Sequence, residues 1–411
     1  MRFLGSSFIF FIVLVGLGCQ RDLHTCDITQ RSCQELVYYK TLALRGDGYD
    51  PFAGLPPIRV ITEAEFRNEL VVSSSQFYSE SERIWDEAYS LLHLYPPKNK
   101  TVDGGISDST TDDLRDIDPQ IDDEATHVYA YFNPAERTIT LVSHPGETGV
   151  EAQRLAMMSL AHEFVHALQD REIDLQDLFT TSDEYLASKT FVEGEARFYE
   201  LLFANELYSL KKTPSQIVRM TQEELRYYIQ NFYLLGSPLY AAEMLIYPLG
   251  SHYLATIWET GGNAAIRRAN KAAPTATLGF LFSPDGIPPR GTPRPMTCNA
   301  PNATNFVTIG KDRLGAVVLF TFLYGWQIPQ DLALATAQGW RDDQMLVHKN
   351  EQTQDLGVSW RIELDQPLDP AIYQQLTRTG ELLITHQGNA IEITTQSTEG
   401  DVLWRPDPAC R

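Results

Sequence analysis

Beyond its first twenty residues the sequence has no apolar run long enough to span a bilayer. That excludes a multi-span helical membrane protein. Positive charge is scarce: 33 Lys and Arg face 54 Asp and Glu, for a formal net charge of -21. A surface of that sign repels phosphate backbones and anionic headgroups, so no nucleic-acid partner is expected. Cysteine is sparse too, with five in the chain: Cys19, Cys26, Cys33, Cys298 and Cys410. A disordered composition is excluded, because 43% of residues are hydrophobic and only 21% are charged. A chain of 411 residues with that apolar content suits two or three domains.

What is present begins with the N-terminus. Arg2 precedes a short apolar run over residues 8–17, then Gly16, Gly18 and Cys19. This is the layout of a secretory signal over residues 1–18, too short for a stable span. Cys19 stands where a bacterial lipoprotein is cleaved and acylated, although Leu17 is one place nearer the cysteine than the usual pattern. The expectation is export to the cell envelope, in the periplasm or at the cell surface, with membrane contact through the Cys19 lipid anchor alone. With Cys19 acylated, four cysteines remain, an even number for an oxidising compartment. The expected pairing is Cys26 with Cys33 and Cys298 with Cys410, one of three connectivities the sequence allows.

A coarse pass along the chain gives its organisation. Residues 36–44 suggest a strand, and residues 56–70 a helix after them. Residues 103–124 form an acidic loop without the ligand spacing of an EF-hand, so a solvated loop is expected. Residues 127–143 read as a β-hairpin turning at "NPAER". Thr148 with Glu151, and Thr181 with Glu184, are capping-box patterns that open two successive helices. Two more helical stretches follow at residues 222–235 and 247–259. Residues 283–304 carry six prolines and read as a linker. Beyond them come an apolar helix near residues 313–326 and strands at 357–364, 382–386 and 390–395, with a helix at 370–379.

The stretch "LAHEFVHALQD", residues 160–170, carries the chemistry. On a helix, His162 and His166 share a face. They can present two imidazoles to one tetrahedral Zn²⁺, at roughly 2.0–2.1 Å. Glu163 lies about 100° around the axis from His162, where it can reach a water without ligating the metal. That set of residues fits hydrolysis by metal-activated water with a glutamate general base. The competing reading is a surface histidine pair. It must explain two polar imidazoles inside an apolar-periodic helix, where each would need some other partner.

A catalytic zinc site takes three protein ligands and keeps one position open. The candidate third ligand lies in "FVEGEARFYE", residues 191–200. Glu193 and Glu195 are about 200° apart on a helix, so only one can face the metal. Glu195 shares its face with Val192, Phe198, Tyr199 and Leu202; Glu193 shares its face with Lys189, Ala196, Arg197 and Glu200. Periodicity leaves both open. Gly194, at a cost of about 1 kcal/mol mid-helix, points to close packing, with the metal helix as the expected partner.

HExxH followed by E-G-x-A on the next helix resembles the gluzincin metallopeptidases. The resemblance implies Glu193 as third ligand; Glu195 and Glu200 stay open as alternative ligands or supporting groups. The gap from His166 to Glu193, 27 residues, is longer than usual in that family and has room for an inserted loop. A wider resemblance, from about residue 128 onward, is to uncharacterised bacterial envelope proteins of gluzincin type. It rests on "YAYFNPAERTITLV", "LAHEFVHALQD", "FVEGEA", "YPLGSHYLATIWETGG" and "AQGWRDDQMLV" in that order. One position departs: Leu249 stands where that pattern has tyrosine. Gluzincins hold the oxyanion with a tyrosine or histidine, which makes Tyr247, His252 and Tyr253 the candidates here. The resemblance also implies that a strand over residues 128–132 or 138–142 pairs with substrate backbone.

The resulting expectation is an α+β protein. A zincin-like metallopeptidase core spans residues 125–285, after a lead-in over 19–124. A linker helix and small α+β domain follow over 286–411. The expected function is zinc-dependent hydrolysis of a peptide or protein. The alternative is a non-catalytic envelope lipoprotein, binding or scaffolding, on a degenerate metallopeptidase fold.

Overall fold

The computed structural model describes residues 24–47, 54–76, 80–95, 126–144, 146, 149–173, 175, 179–231, 237–281, 306–378 and 382–395. Cys19, Cys298, Cys410, Thr148, the acidic loop and the proline-rich linker lie outside them. The described fold is α+β. In chain order its elements are α1 (Arg31–Arg45), β1 (Ile58–Thr62), α2 (Glu63–Gln76), α3 (Glu80–Leu91), β2 (Ala130–Asn133), β3 (Thr138–Ser143), α4 (Val150–Gln169), α5 (Ser182–Leu207), α6 (Pro214–Gln230) and α7 (Pro238–Asn270). Then come β4 (Phe306–Asp312), α8 (Gly315–Gly325), α9 (Gln330–Gln338), β5 (Trp340–Asn350), β6 (Leu356–Leu364), α10 (Pro370–Thr377), β7 (Leu382–Gln387) and β8 (Ala390–Thr395).

The first sheet is small and mixed, in the order β1-β3-β2. β1 runs parallel to β3, and β2 runs antiparallel to it. The hairpin read from residues 127–143 is therefore present. β3 is flanked on both sides, so of the two strands considered for substrate pairing only β2 is an edge among the described residues. The second sheet is antiparallel, in the order β4-β5-β6-β8-β7.

The strand expected at residues 36–44 is instead the body of α1. Its buried residues Val37, Tyr38, Thr41, Leu42 and Arg45 recur every three or four positions. That is a helical stripe, and it overrides the β propensity of Val37, Tyr38 and Tyr39. Cys26 and Cys33 form a disulfide at the start of this helix, with Cα atoms 5.7 Å apart.

The helix starts follow local chemistry. The Thr181 side chain accepts the Glu184 backbone N–H and caps α5. Thr213 and Gln216 form a full capping box on α6, with Pro214 in the first turn. The N-cap of α4 is Gly149, whose backbone is extended.

Among the described residues two large apolar cores hold these elements, with a small third one around Phe66 and Val142. One packs Val37 and Tyr38 of α1, Ile139 and Leu141 of β3, Phe164 of α4 and Phe203 of α5. Phe164 is fully buried, and side chains of its kind contribute about 1.5–3 kcal/mol each on burial. The other core runs without a break from Val165 and Phe198, through Leu245 and Phe320, to Trp360 in the second sheet. The residues on either side of position 286 thus share one core. Asp343 ties the sheet to α8: its carboxylate accepts the backbone N–H groups of Leu314 and Gly315 and the indole N–H groups of Trp340 and Trp360.

Gly194 does mark a close approach, but not to α4. A Cβ there would overlap the backbone of Gly250 on α7. A pair of glycines lets α5 and α7 cross with their backbones in contact, and this crossing brings Tyr247 of α7 toward Glu193 of α5.

Candidate metal centre

His162 and His166 sit one turn apart on α4, with ring centroids 4.8 Å apart. Glu193 reaches in from α5. Its Oε2 lies 3.3 Å from His162 Nε2 and 3.2 Å from His166 Nε2. One donor atom from each of the three residues falls within 4.8 Å of the others. Bonds of roughly 2.0–2.1 Å to a tetrahedral ion set its ligand atoms about 3.3 Å apart. The separations of Glu193 from His162 and from His166 are close to that edge length, so the residues present fit a zinc ion.

The outer ring fits it as well. His162 Nδ1 is 3.2 Å from Glu200 Oε2, and His166 Nδ1 is 2.9 Å from Gln169 Oε1. Both partners are oxygen acceptors, so each Nδ1–H has a partner, and each Nε2 faces Glu193 Oε2, the arrangement that suits ligation through Nε2. Glu200 is held by Arg197 at 2.6 Å, and Arg197 also binds Glu224 of α6. Lys189, one turn before Glu193, donates to the other Glu193 oxygen at 3.2 Å.

Periodicity left Glu193 and Glu195 equal; the packing separates them. The polar face of α5, with Lys189, Glu193, Arg197 and Glu200, turns toward the two histidines. Glu195 turns instead to Arg45 of α1, in a buried ion pair at 2.8 Å, and to the amide of Gln169 at 3.0 Å. Glu200 stands behind His162 as its hydrogen-bond partner.

The electrostatics follow from the crowding. Burial by itself would lower the His162 pKa, but hydrogen bonds to Glu193 and Glu200 and the charge of Glu163 outweigh it and push it up to about 10. Burial raises the Glu193 pKa in turn, yet the two imidazoles hold it well below the usual carboxylate range. Glu200 is treated likewise: burial raises it, and Arg197 and His162 bring it down. The three carboxylates around the histidines make a hole that favours positive charge.

Glu163 is buried beside the histidines and is not among the three converging donors. Burial raises its pKa; the Glu193 charge adds to this, while the two histidines and the backbone amide of Phe132 oppose it. A carboxyl shifted upward is better suited to carry a proton near neutral pH. Phe132 is in β2, so the edge strand borders the same spot.

The three oxyanion candidates part company on α7. Tyr247 has its ring 6.4 Å from that of His162. Burial raises its pKa, and the charges of Glu193 and Glu163 raise it further. His252 packs toward α6, with Nδ1 3.1 Å from Thr221 Oγ1. Tyr253 is half-buried and edge-on to Phe191 and Phe280, packed against the apolar core. Positions five and six beyond Tyr247 are about 140° and 240° around the helix, which explains the split.

The sequence reading missed Gln169, Lys189 and Arg197 as supporting groups. All three stand inside or one turn from the motifs already singled out, at helical spacing from a ligand. Arg45, more than a hundred residues upstream, carries no spacing signal. Among the described residues no helix is long and apolar enough to cross a membrane. The chain matches no family model, no curated protein and no solved structure, so its function has to be argued from the geometry of this site.

Proposed function

We propose that this chain is a zinc-dependent hydrolase of gluzincin type, with a zincin-like fold, that cleaves peptides or proteins in the cell envelope, where Cys19 anchors it. The observation that carries the reading is the convergence of His162, His166 and Glu193 with Glu163 alongside. These residues would hold Zn²⁺, which when bound polarises a carbonyl oxygen and lowers the pKa of water.

The chain's own groups would do the rest. Glu163 takes a proton from the attacking water and returns it to the nitrogen of the leaving amine. Tyr247 points its O–H at the oxygen on which charge develops, supplying what Leu249 does not. The free edge of β2 pairs with extended substrate backbone and brings the scissile bond to Glu163. Glu200 and Gln169 keep both imidazoles in the ligating tautomer.

The test is metal analysis of the purified protein, together with turnover of a mixed peptide library by wild type and Glu163→Gln. The expected result is one zinc per chain in both, with hydrolysis only in wild type. Full activity in Glu163→Gln would refute the mechanism. Zinc without turnover of any substrate would favour a binding lipoprotein.

A further inference from the structure

We infer that helix α1 is part of the metal centre: a buried chain of hydrogen bonds, Arg45–Glu195–Gln169–His166, sets the tautomer of the His166 imidazole from outside the two ligand-bearing helices. The inference rests on the metal-site reading above and names positioning residues for it.

Gln169 is the pivot. Its amide nitrogen donates to Glu195 Oε2 at 3.0 Å and to the Val192 carbonyl at 3.0 Å. Both partners are pure acceptors, so the NH₂ end of the amide must face them. The carbonyl end, Oε1, is then left facing His166 Nδ1 at 2.9 Å. A carbonyl oxygen can only accept, so Nδ1 must carry the hydrogen, which leaves Nε2, 3.2 Å from Glu193 Oε2, as the nitrogen that would ligate. If the amide turned over, its NH₂ would face Nδ1, the proton would move to Nε2, and the lone pair would be lost to the metal.

What holds the amide is Glu195, and what holds Glu195 is Arg45. The guanidinium donates to Glu195 Oε1 through Nε at 3.2 Å and through Nη2 at 2.8 Å. All three of these side chains are shut off from water: Arg45 is 3% exposed, Glu195 1% and Gln169 1%. Arg45 is fixed in turn by Asp47 at 2.8 Å and by Glu172 at 3.4 Å. Its helix is secured further by Asn263 and Arg267 of α7, which bond the carbonyls of Leu44 and Arg45. The lead-in helix, remote in sequence from the motif, thus ends on a residue that reaches the metal ligand through two side chains.

The test is the Zn²⁺ affinity of the full chain, measured against a competing chelator, for wild type, Gln169→Leu, Arg45→Met, Arg45→Lys and Arg31→Ala. Gln169→Leu should weaken zinc by roughly 10- to 100-fold, the range seen when an outer partner of a ligating histidine is removed. Arg45→Met should weaken it in the same direction, by about tenfold, and Arg45→Lys should recover part of the loss. Arg31, exposed on the same helix and paired with Glu35 among the described residues, should be silent when changed to Ala.

A second readout does not depend on how well the variants fold. In zinc-loaded wild type, nitrogen-resolved NMR should show a His166 Nδ1–H protected from exchange with solvent. Unchanged zinc affinity in both Gln169→Leu and Arg45→Met, even with lowered melting temperatures, overturns the inference, because the chain would then be packing alone. A His166 proton found on Nε2 in the metal-free state, with Nδ1 bare, also overturns it. If wild type takes up no zinc, the metal-site reading fails and the inference falls with it; wild-type binding with silent variants sinks the inference only.

Discussion

Gly194 of α5 and Gly250 of α7 meet backbone to backbone: a Cβ added to Gly250 would fall 2.7 Å from the Gly194 Cα and overlap the Thr190 carbonyl. This contact sets the spacing between the helix that carries Glu193 and the helix that carries Tyr247. It is also where a single methyl group should do most harm.

Gly194→Ala and Gly250→Ala should each lower the melting temperature. Alanine gains about 1 kcal/mol of helix propensity, but forcing a methyl into a closed contact costs typically 1–3 kcal/mol and more against backbone. The net should be destabilising by about 1–2 kcal/mol, read by thermal or denaturant unfolding. Turnover should fall too, as Tyr247 is moved off Glu193. A melting curve identical to wild type would mean the helices separate at no cost.

Glu193→Gln and Glu195→Gln should give opposite phenotypes. The first removes a ligand and should abolish tight zinc binding while the fold survives. The second breaks a buried ion pair with Arg45, a change that costs about 3–5 kcal/mol when one charge is left behind. It should still bind zinc, no more than about tenfold weaker. Metal titration alongside chemical denaturation separates them; the reverse pattern would make Glu195 the ligand.

Tyr247→Phe should reduce kcat by about 10²–10³, the usual loss when one oxyanion donor is removed, with KM and zinc affinity little changed. His252→Ala and Tyr253→Phe should leave kcat near wild type, since His252 meets Thr221 and Tyr253 meets Phe191 and Phe280. Steady-state kinetics on the three variants decides the matter, and a large kcat loss in His252→Ala would shift the assignment.

His348 supplies an acid-linked term in stability. It is fully buried in β5, and burial depresses its pKa to about 4 from an ordinary 6.5. A histidine lowered in the folded state stays neutral there, while the unfolded chain takes up a proton first. Its contribution is therefore fully present above about pH 6.5 and lost as the pH falls through about 4. His348→Gln, which can still meet Thr308, should flatten the stability difference across that window. Denaturant midpoints from pH 7 to pH 4 for both proteins would show it; parallel curves would count against the buried neutral state.

Much of the fold was legible where local rules dominate. The hairpin showed in two β-rich runs around "NPAER", and α5 in the Thr181–Glu184 cap. α1 was misread because residues 36–44 have strand-forming side chains, while their burial stripe appears only once α4 and α5 supply a surface. Gly194 signalled a close contact, but its partner, Gly250, lies in an element with no sequence mark of the pairing.

The sequence by itself determined the candidate ligand types and their spacing on α4. His162, Glu163 and His166 must present themselves as they do on any α-helix, because 3.6 residues per turn fixes their relative directions. It could not choose between Glu193 and Glu195, or among Tyr247, His252 and Tyr253, since helical spacing defines faces without saying which face meets which neighbour. The tertiary structure set the placement: the α5–α7 glycine crossing brings the Tyr247 ring near His162, and Arg45 pairs with Glu195, while Glu193 meets the histidines.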